Sequence, residues 1–348
     1  MCLQVLRGFH GAALAHVDSG IKLYSQFKSA ISNTGCISHY ASLATFTELL
    51  ARLDQQASSI TTDRPRNLLS TPISICEQMV PEPKVLCFMV KPFQSMEEAR
   101  SGLHKIQNAA LRATSSLIDP TIVVDYSRFE SEQKARVSRR GYSILRMHQW
   151  RARFEEYLFT HKATEDLPRR KATESLMIQW IVMCINFRVD FVAVTENEML
   201  WDEFLPEFTE LVTHVKRFTE LETREDPKTP IFTLEIDIIV PLYFVAAKCR
   251  DGKLRREAID LLNARERQEG IWNAALTSRL CSRLVRMEEA GLEGLNGNVR
   301  MEDVVCEKRI QGLEVKWDIE RRRVNLLYKG VHCAAKIVRD GHAVEIEL

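Results

Sequence analysis

Much of what usually announces a function is missing from this sequence. Its nine cysteines (positions 2, 36, 76, 87, 184, 249, 281, 306 and 333) include no Cys-x-x-Cys pair, so the commonest zinc-ligand spacing is absent. An odd count at wide spacings in a long chain argues for reduced, mostly buried thiols of an intracellular protein, not for a disulfide framework. There is no Gly-x-Ser-x-Gly, no His-Glu-x-x-His, no Walker A loop and no Gly-x-Gly-x-x-Gly, which leaves the familiar hydrolase, metalloprotease and nucleotide-binding classes without their signatures. Excess charge of one sign is also lacking. Lys and Arg number 48 against 47 Asp and Glu, a net charge of +1, whereas a freestanding nucleic-acid binder usually carries a basic surplus to meet phosphates. The N-terminus has no signal-peptide core. The longest apolar stretch, "LMIQWIVMCINFRVDFVAV", is broken by Gln179, Asn186, Arg188 and Asp190, and reads as a core helix, not a membrane span.

What is present is an ordinary globular composition: 348 residues, 45% hydrophobic and 27% charged, long enough to bury a large core. The dominant signal is helical periodicity. Ala13, Val17, Gly20, Tyr24, Phe27 and Ile31 share one face over 9–32, and small residues at 12, 13, 15 and 20 would admit a close neighbour. Leu43, Phe46, Leu50, Leu53 and Ala57 repeat the period over 40–60. Five of the eleven prolines then fall between Pro65 and Pro92, marking a long connection. A helix restarts near 93, with Ser95 and Glu98 spaced as a capping box. Residues 128–160 are amphipathic through Tyr142, Leu145, Met147, Trp150 and Phe154. The cleanest pattern, at 178, 181, 182, 185, 189 and 192, predicts a central helix over 171–194, and another follows over 198–221.

The stretch "PLYFVAAKCRDGKLRREAIDLLNARERQEGIW", Pro241 to Trp272, is the densest in charge and sulfur. Pro241 suits a first helical turn. Asp251-Gly252 reads as a turn whose Asp can cap the next helix. Leu254, Ala258, Leu261 and Leu262 form that helix's face, Glu269-Gly270 is expected to close it, and Trp272, Leu276, Leu280 and Leu284 begin another that runs to Gly291. Arg255 and Arg256 stand in a first turn, where the helix dipole disfavours cations. They are therefore expected to be ion-paired internally, with Asp251, Glu257, Glu235 or Glu269 as the candidate partners. Cys249 lacks a neighbouring histidine or helix N-terminus to activate it and reads as a core residue. His332 and Cys333, being adjacent, point oppositely on a strand, and His10 and His16 do not share a helix face. "RRK" at 169–171 and "RRR" at 321–323 are not interleaved with aromatics. "GLEGLNGN" at 291 follows a helix and reads as a cap and loop. The tail alternates Leu313, Val315, Trp317 and Ile319, predicting two or three short strands with turns near Arg321 and Asp340-Gly341.

The phrases "RGFHGAALAHVDSGIKL", "LLARLDQQA", "FQSMEEARSGL", "FTLEIDIIVPLYFVAAKCRDGKLRREAIDLL" and "EGIWNAAL" occur in this order. Together they resemble the fungal-specific regulatory domain of the zinc binuclear-cluster (Zn(II)2Cys6) transcription factors, from the first residues to about 290. The tail around "RIQGLEVKWDIERRRVNLLYKG" is similar as well. Such factors read DNA through a six-cysteine cluster that starts with Cys-x-x-Cys. That cluster is lacking here, and the likeness starts at a helix that others usually precede. Either a shortened relative or a chain that starts late is implied.

These readings set the expectations. The fold is mainly α: an array of antiparallel helices in irregular hairpins, with a small β-hairpin or strand element at the C-terminus. Residues 1–300 form the helical regulatory-type domain, lacking the family's first helices and containing the Pro-rich connection at 61–92. Residues 301–348 form a β-rich tail packed on it. The resemblance implies a transcription-regulator-like protein of the nucleus that has no DNA-binding domain of its own. It would act through contacts with other proteins, the transcription machinery or a related factor, and not at a membrane. No residue is assigned as catalytic, cofactor-binding, metal-binding or DNA-binding; no cofactor and no enzymatic activity are expected. The competing reading is a helical scaffold or adaptor unconnected with transcription.

Overall fold

The computed structural model describes residues 10–34, 50, 53–54, 91–115, 126–162, 166–190, 193–194, 197–226, 229–270, 272–295, 297–318, 323–330 and 342–347. Helix α1 (His10–Thr34), α2 (Met96–Ser115), α3 (Tyr126–Thr160) and α4 (Leu167–Arg188) come first. A 3-10 helix (Glu198–Phe204) leads into α5 (Leu205–Glu225). Then follow β1 (Ile231–Thr233), α6 (Ile239–Lys248), α7 (Gly252–Asn263), β2 (Arg267–Glu269), β3 (Trp272–Asn273) and α8 (Ala274–Glu288). Three strands close the chain: β4 (Ile310–Asp318), β5 (Arg323–Gly330) and β6 (His342–Glu347). The expected class, mainly helical with a small terminal β element, is the observed one.

Local chemistry accounts for the helix starts. Ser95 Oγ accepts from the Glu98 N–H at 3.1 Å while the Glu98 carboxylate turns back to the Gln94 N–H at 2.7 Å. The N-terminus of α2 is thus closed one residue off the ideal box. Asp166 caps α4, whose second residue is Pro168. Asp251 Oδ1 accepts from the Leu254 N–H at 2.8 Å, capping α7, and Pro241 lies in the first turn of α6. Gly252 answers a close approach. Its N–H donates to the Val299 carbonyl at 2.8 Å, and a Cβ would stand 2.9 Å from that oxygen.

Helix α4 is the hub because it is buried on two faces. Ile178, Ile181 and Ile185 meet Phe208, Leu211, Val212 and Val215 of α5 and Leu242, Val245 and Ala246 of α6, with Ala258, Leu262 and Cys281 from α7 and α8 behind them. On its other side Leu176, Met177, Met183 and Cys184 pack on Trp150, Phe154 and Tyr157 of α3 and Leu103 of α2. Trp150 and Trp180 satisfy their indole N–H groups on the Ala99 and Met147 carbonyls, at 2.8 and 3.0 Å. Burying each such side chain contributes about 1.5–3 kcal/mol. A separate small cluster joins Val17, Ile21 and Tyr24 of α1 to Leu50 and Leu53, and the Gly20 backbone lies against Leu50.

Several expectations need correction. Helix α4 stops at Arg188, not 194, because Val189 is extended and the Asp190 carboxylate starts a new turn by accepting from the Ala193 N–H, a local competition with helix geometry. The first turns expected to be α-helical at 198 are 3-10, and the α-helix begins at Leu205 beside Pro206. Helix α7 ends at Asn263, short of Glu269-Gly270. Residues 267–269 form a strand that pairs in parallel with β1 (Ile231 opposite Arg267) and antiparallel with β3 (Glu269 opposite Trp272). Trp272 belongs to β3, and α8 starts at Ala274.

The terminal strands form an antiparallel sheet in the order β4-β5-β6, with a register shift between Gln311 and Glu314. Arg309, just before β4, is fully buried and grips Asp202 with both guanidinium arms at 2.6 and 2.7 Å. It also donates to the Glu198, Met301 and Val304 carbonyls, a fork geometry suited to arginine. The Pro-rich connection apart from residues 91–92, the helix over 40–60 apart from 50 and 53–54, Arg321 and Arg322, the Asp340-Gly341 turn, and His332 with Cys333 lie outside the described residues.

Candidate functional site

The concentration of charge inside the protein is its most distinctive chemistry. Two helices carry charges of the wrong sign for their dipoles. Arg255 and Arg256 sit in the N-terminal turn of α7, and Glu288 and Glu289 end α8. The fold places these termini together, so each unfavourable pair becomes the other's partner. Arg255 Nη2 meets Glu288 at 2.7 Å, Arg255 Nη1 lies 3.9 Å from Glu289, and Arg256 Nη2 meets Glu289 at 2.5 Å. Arg250, in the elbow between α6 and α7, reaches Glu288 at 3.0 Å and Glu198 at 2.9 Å. Lys248 also holds Glu198, at 2.8 Å. Glu288 additionally accepts from the Ile310 N–H at 2.7 Å, tying the network to the start of β4. Arg250, Arg255 and Glu288 are at most 1% exposed.

Burial alone would push the Glu288 carboxyl up, but Arg255 and Arg250 overcome it and hold the group below its ordinary value. Burial opposes the charge of Arg250 as well; Glu288 and Glu198 reverse this and leave its affinity for the proton raised. For Lys248 burial wins over Glu198, and the ammonium is lowered. Each of these charged groups faces an opposite charge where it stands.

Arg255 and Arg256 are both ion-paired between helices as expected, Arg255 fully buried and Arg256 with its side chain 40% exposed. The expected partners were wrong. Asp251 is spent on capping, Glu257 pairs with Lys216, Glu235 lies 3.7 Å from Arg100, and Glu269 pairs with Arg267. The acidic partners went unrecognised, although one signal existed: two consecutive glutamates at a helix C-terminus are as anomalous as two arginines at an N-terminus.

A second buried cluster surrounds Arg267. Its guanidinium meets Glu222 of α5 and Glu269 of β2, each at 2.6 Å, and lies 3.7 Å from Asp237. Glu269 accepts from the backbone N–H groups of Asp237, Ile238 and Ile239 at 2.9–3.1 Å. It caps α6 from another strand, since Ile238 at the N-cap has no side-chain oxygen to offer. Asp237 Oδ1 accepts from Ser175 of α4 at 2.9 Å. A cavity of about 130 Å³ adjoins this cluster, lined by Glu222, Arg267, Thr219, Ile239 and Leu262 among others. A more open depression of about 250 Å³ lies by Leu158, Phe159, His161, Lys162 and Arg169.

Several other residues singled out by the sequence have defined surroundings. Cys249 is buried at the end of α6, and burial pushes its thiol up to about 11. Burial likewise pushes Cys184 and Cys281 up to about 12. Such thiols are poor nucleophiles. Arg169 stacks on Tyr157 and donates to its hydroxyl at 2.7 Å, and Lys171 lies 3.5 Å from Glu222. Among the described residues, no group of three or more His, Cys, Asp or Glu is arranged to hold a metal ion. No helix among them is long and apolar enough to cross a membrane.

The architecture is thus a helical array locked by internal ion pairs and finished by a small antiparallel sheet. Over 64 residues, 18% of this chain, it is 44% identical to the aspercryptin biosynthesis cluster-specific transcription regulator of Emericella nidulans. That match covers 10% of the regulator's own length. No family model matches the chain, and no solved structure matches it. The local similarity relates the chain to a fungal transcription regulator.

Proposed function

We propose that this chain is a transcription-regulator-like protein whose helical body corresponds to the regulatory part of fungal zinc-cluster factors. It works in the nucleus by contact with other proteins, without reading DNA itself and without catalysis. The observation that carries the reading is the 44% identity over 64 residues to a cluster-specific transcription regulator. Two further features support it. The dense charges serve as mutual locks between elements, which suits a rigid contact scaffold. The balanced net charge of +1 offers little of the electrostatic affinity that duplex binding draws from phosphates.

The test tethers the chain to an unrelated DNA-binding domain beside a reporter gene in a fungal host. A change in reporter output in either direction, lost on charge reversal at exposed positions, supports the reading. A folded, nuclear fusion that leaves the reporter unchanged favours the helical-adaptor reading instead. Metal analysis and gel shifts on the purified chain address the DNA side. Two tightly held zinc ions, or sequence-selective binding that survives physiological salt, would overturn the reading that these 348 residues do not themselves read DNA.

A further inference from the structure

The cluster around Arg267 is out of electrostatic balance. Three carboxylates, Glu222, Glu269 and Asp237, crowd one guanidinium that is 4% exposed. The three are not equivalent. Glu222 has Arg267 at 2.6 Å and the Lys171 ammonium at 3.5 Å. Glu269 has Arg267 at 2.6 Å and the open N–H groups of the first turn of α6. Among the described residues, Asp237 has the Ser175 hydroxyl at 2.9 Å, with Arg267 farther off at 3.7 Å. Glu235 adds a fourth acidic group on the same segment, turned toward Arg100. If one of these carboxyls is to keep its proton, it is Asp237, the one whose charge is supported least.

We propose that Asp237 is a proton-operated latch at the joint between β2 and the start of α6: protonated, it leaves the Glu269 cap on α6 unopposed, and ionised, it sets its charge against Glu269 and loosens that joint. Burial pushes its carboxyl up to about 7, Glu269 pushes the same way, and Arg267 and Ser175 oppose them. An ordinary carboxyl in the unfolded chain titrates at 3.8. The folded protein therefore holds an extra proton between the two values. Its stability falls as pH rises through that window and levels out above about 7. The joint matters because Asp237 leads into α6, and the cap that Glu269 supplies to α6 belongs to the same cluster. Ionising Asp237 sets a second negative charge against Glu269 at the point where that cap is made.

The experiment compares the full chain with Asp237→Asn, which is neutral at every pH. Thermal unfolding is followed from pH 5 to pH 8.5, with hydrogen exchange at the amides of residues 237–239. Native protein is expected to lose melting temperature relative to the variant as pH rises from 5 to about 7, with the difference level above that. Those amides are expected to lose protection at high pH in native protein only, after correction for intrinsic exchange. His214, which pairs with Glu174 beside Ser175 at 2.5 Å, is present in both proteins and cancels in the difference. A difference that stays flat from pH 5 to pH 8.5 overturns the proposal. Should the variant fail to fold, Ser175→Ala keeps the carboxyl and removes one group that favours its ionised form. The pH at which its stability levels out should move above the native one, and an unmoved value overturns the latch equally.

Discussion

Removing Glu288 puts the ion-pair reading at greatest risk. This carboxylate is 1% exposed and serves three donors: Arg250 at 3.0 Å, Arg255 at 2.7 Å and the Ile310 N–H at 2.7 Å. In Glu288→Ala the two guanidiniums do not suffer equally. Arg250 keeps Glu198 at 2.9 Å, while Arg255 is left with the Ala246 carbonyl and with Glu289 at 3.9 Å. Breaking a buried pair by deleting one partner costs about 3–5 kcal/mol, and the orphaned Ile310 N–H adds about 1–3 kcal/mol. Taking the lower half of each, because Arg250 is still paired, gives about 4–6 kcal/mol. At about 2–4 °C per kcal/mol for a large domain, the melting temperature should fall by roughly 10 °C or more. Glu288→Gln, which keeps an acceptor oxygen, should lie between the two. The control is Glu155→Ala. It breaks an i,i+4 pair with Arg151 in which the glutamate is 58% exposed, and such pairs are worth about 1 kcal/mol or less. The pH dependence has a definite sign. The Glu288 carboxyl lies below its ordinary value when folded, so its contribution is complete above the unfolded value and is lost as pH falls through the lower, folded one. Native protein and Glu288→Ala should therefore converge in stability under acid. The measurement is differential scanning fluorimetry together with denaturant titration. If Glu288→Ala melts within a degree of native protein at neutral pH, the network does not lock the helices and the reasoning fails.

Other outcomes follow from the same geometry. Ile181→Asp places an unpaired carboxylate in the fully buried centre of α4 and should cost several kcal/mol, more than about 4; a variant that melts like native protein would displace α4 from the hub. Glu269→Ala strips α6 of its distant cap and leaves Arg267 with one close partner. Hydrogen exchange should show the first turn of α6 opening while α2 and α3 stay protected. Cys184, Cys249 and Cys281, their thiols pushed up to about 11–12 by burial, should resist iodoacetamide at pH 8 in folded protein and react fully in denaturant. Mass spectrometry of the labelled peptides reads this directly.

Several features were legible one residue at a time. Ser95 and Asp251 announce helix starts because a cap is made within three residues of itself. The 3-4 spacing of Ile178, Ile181 and Ile185 announces a buried helix because period 3.6 puts those side chains on one face. Alternation in the tail announces strands, and the three terminal strands were found there. That Arg255 and Arg256 would be ion-paired followed from charge and position alone, since a cation in a first turn requires an offsetting partner. Strand β2 was not legible. At three residues it is too short for alternation to register, and its pairing with β1 is set across more than thirty intervening positions.

The identity of the partners belongs to the tertiary structure. Periodicity tells which face of a helix is buried, but not which helix it meets or in what direction. Arg255 finds Glu288 thirty-three residues away, Arg250 finds Glu198, and Glu269 caps a helix that begins thirty residues earlier. Those encounters exist only because α7 and α8 bring opposite ends together and β2 returns to the N-terminus of α6. Electrostatic partners in a folded chain are chosen by distance in space, and distance along the chain beyond one or two helical turns carries almost no information about it. The amino-acid order thus determined that charges must be buried and paired; the packing of α4 through α8 decided with whom.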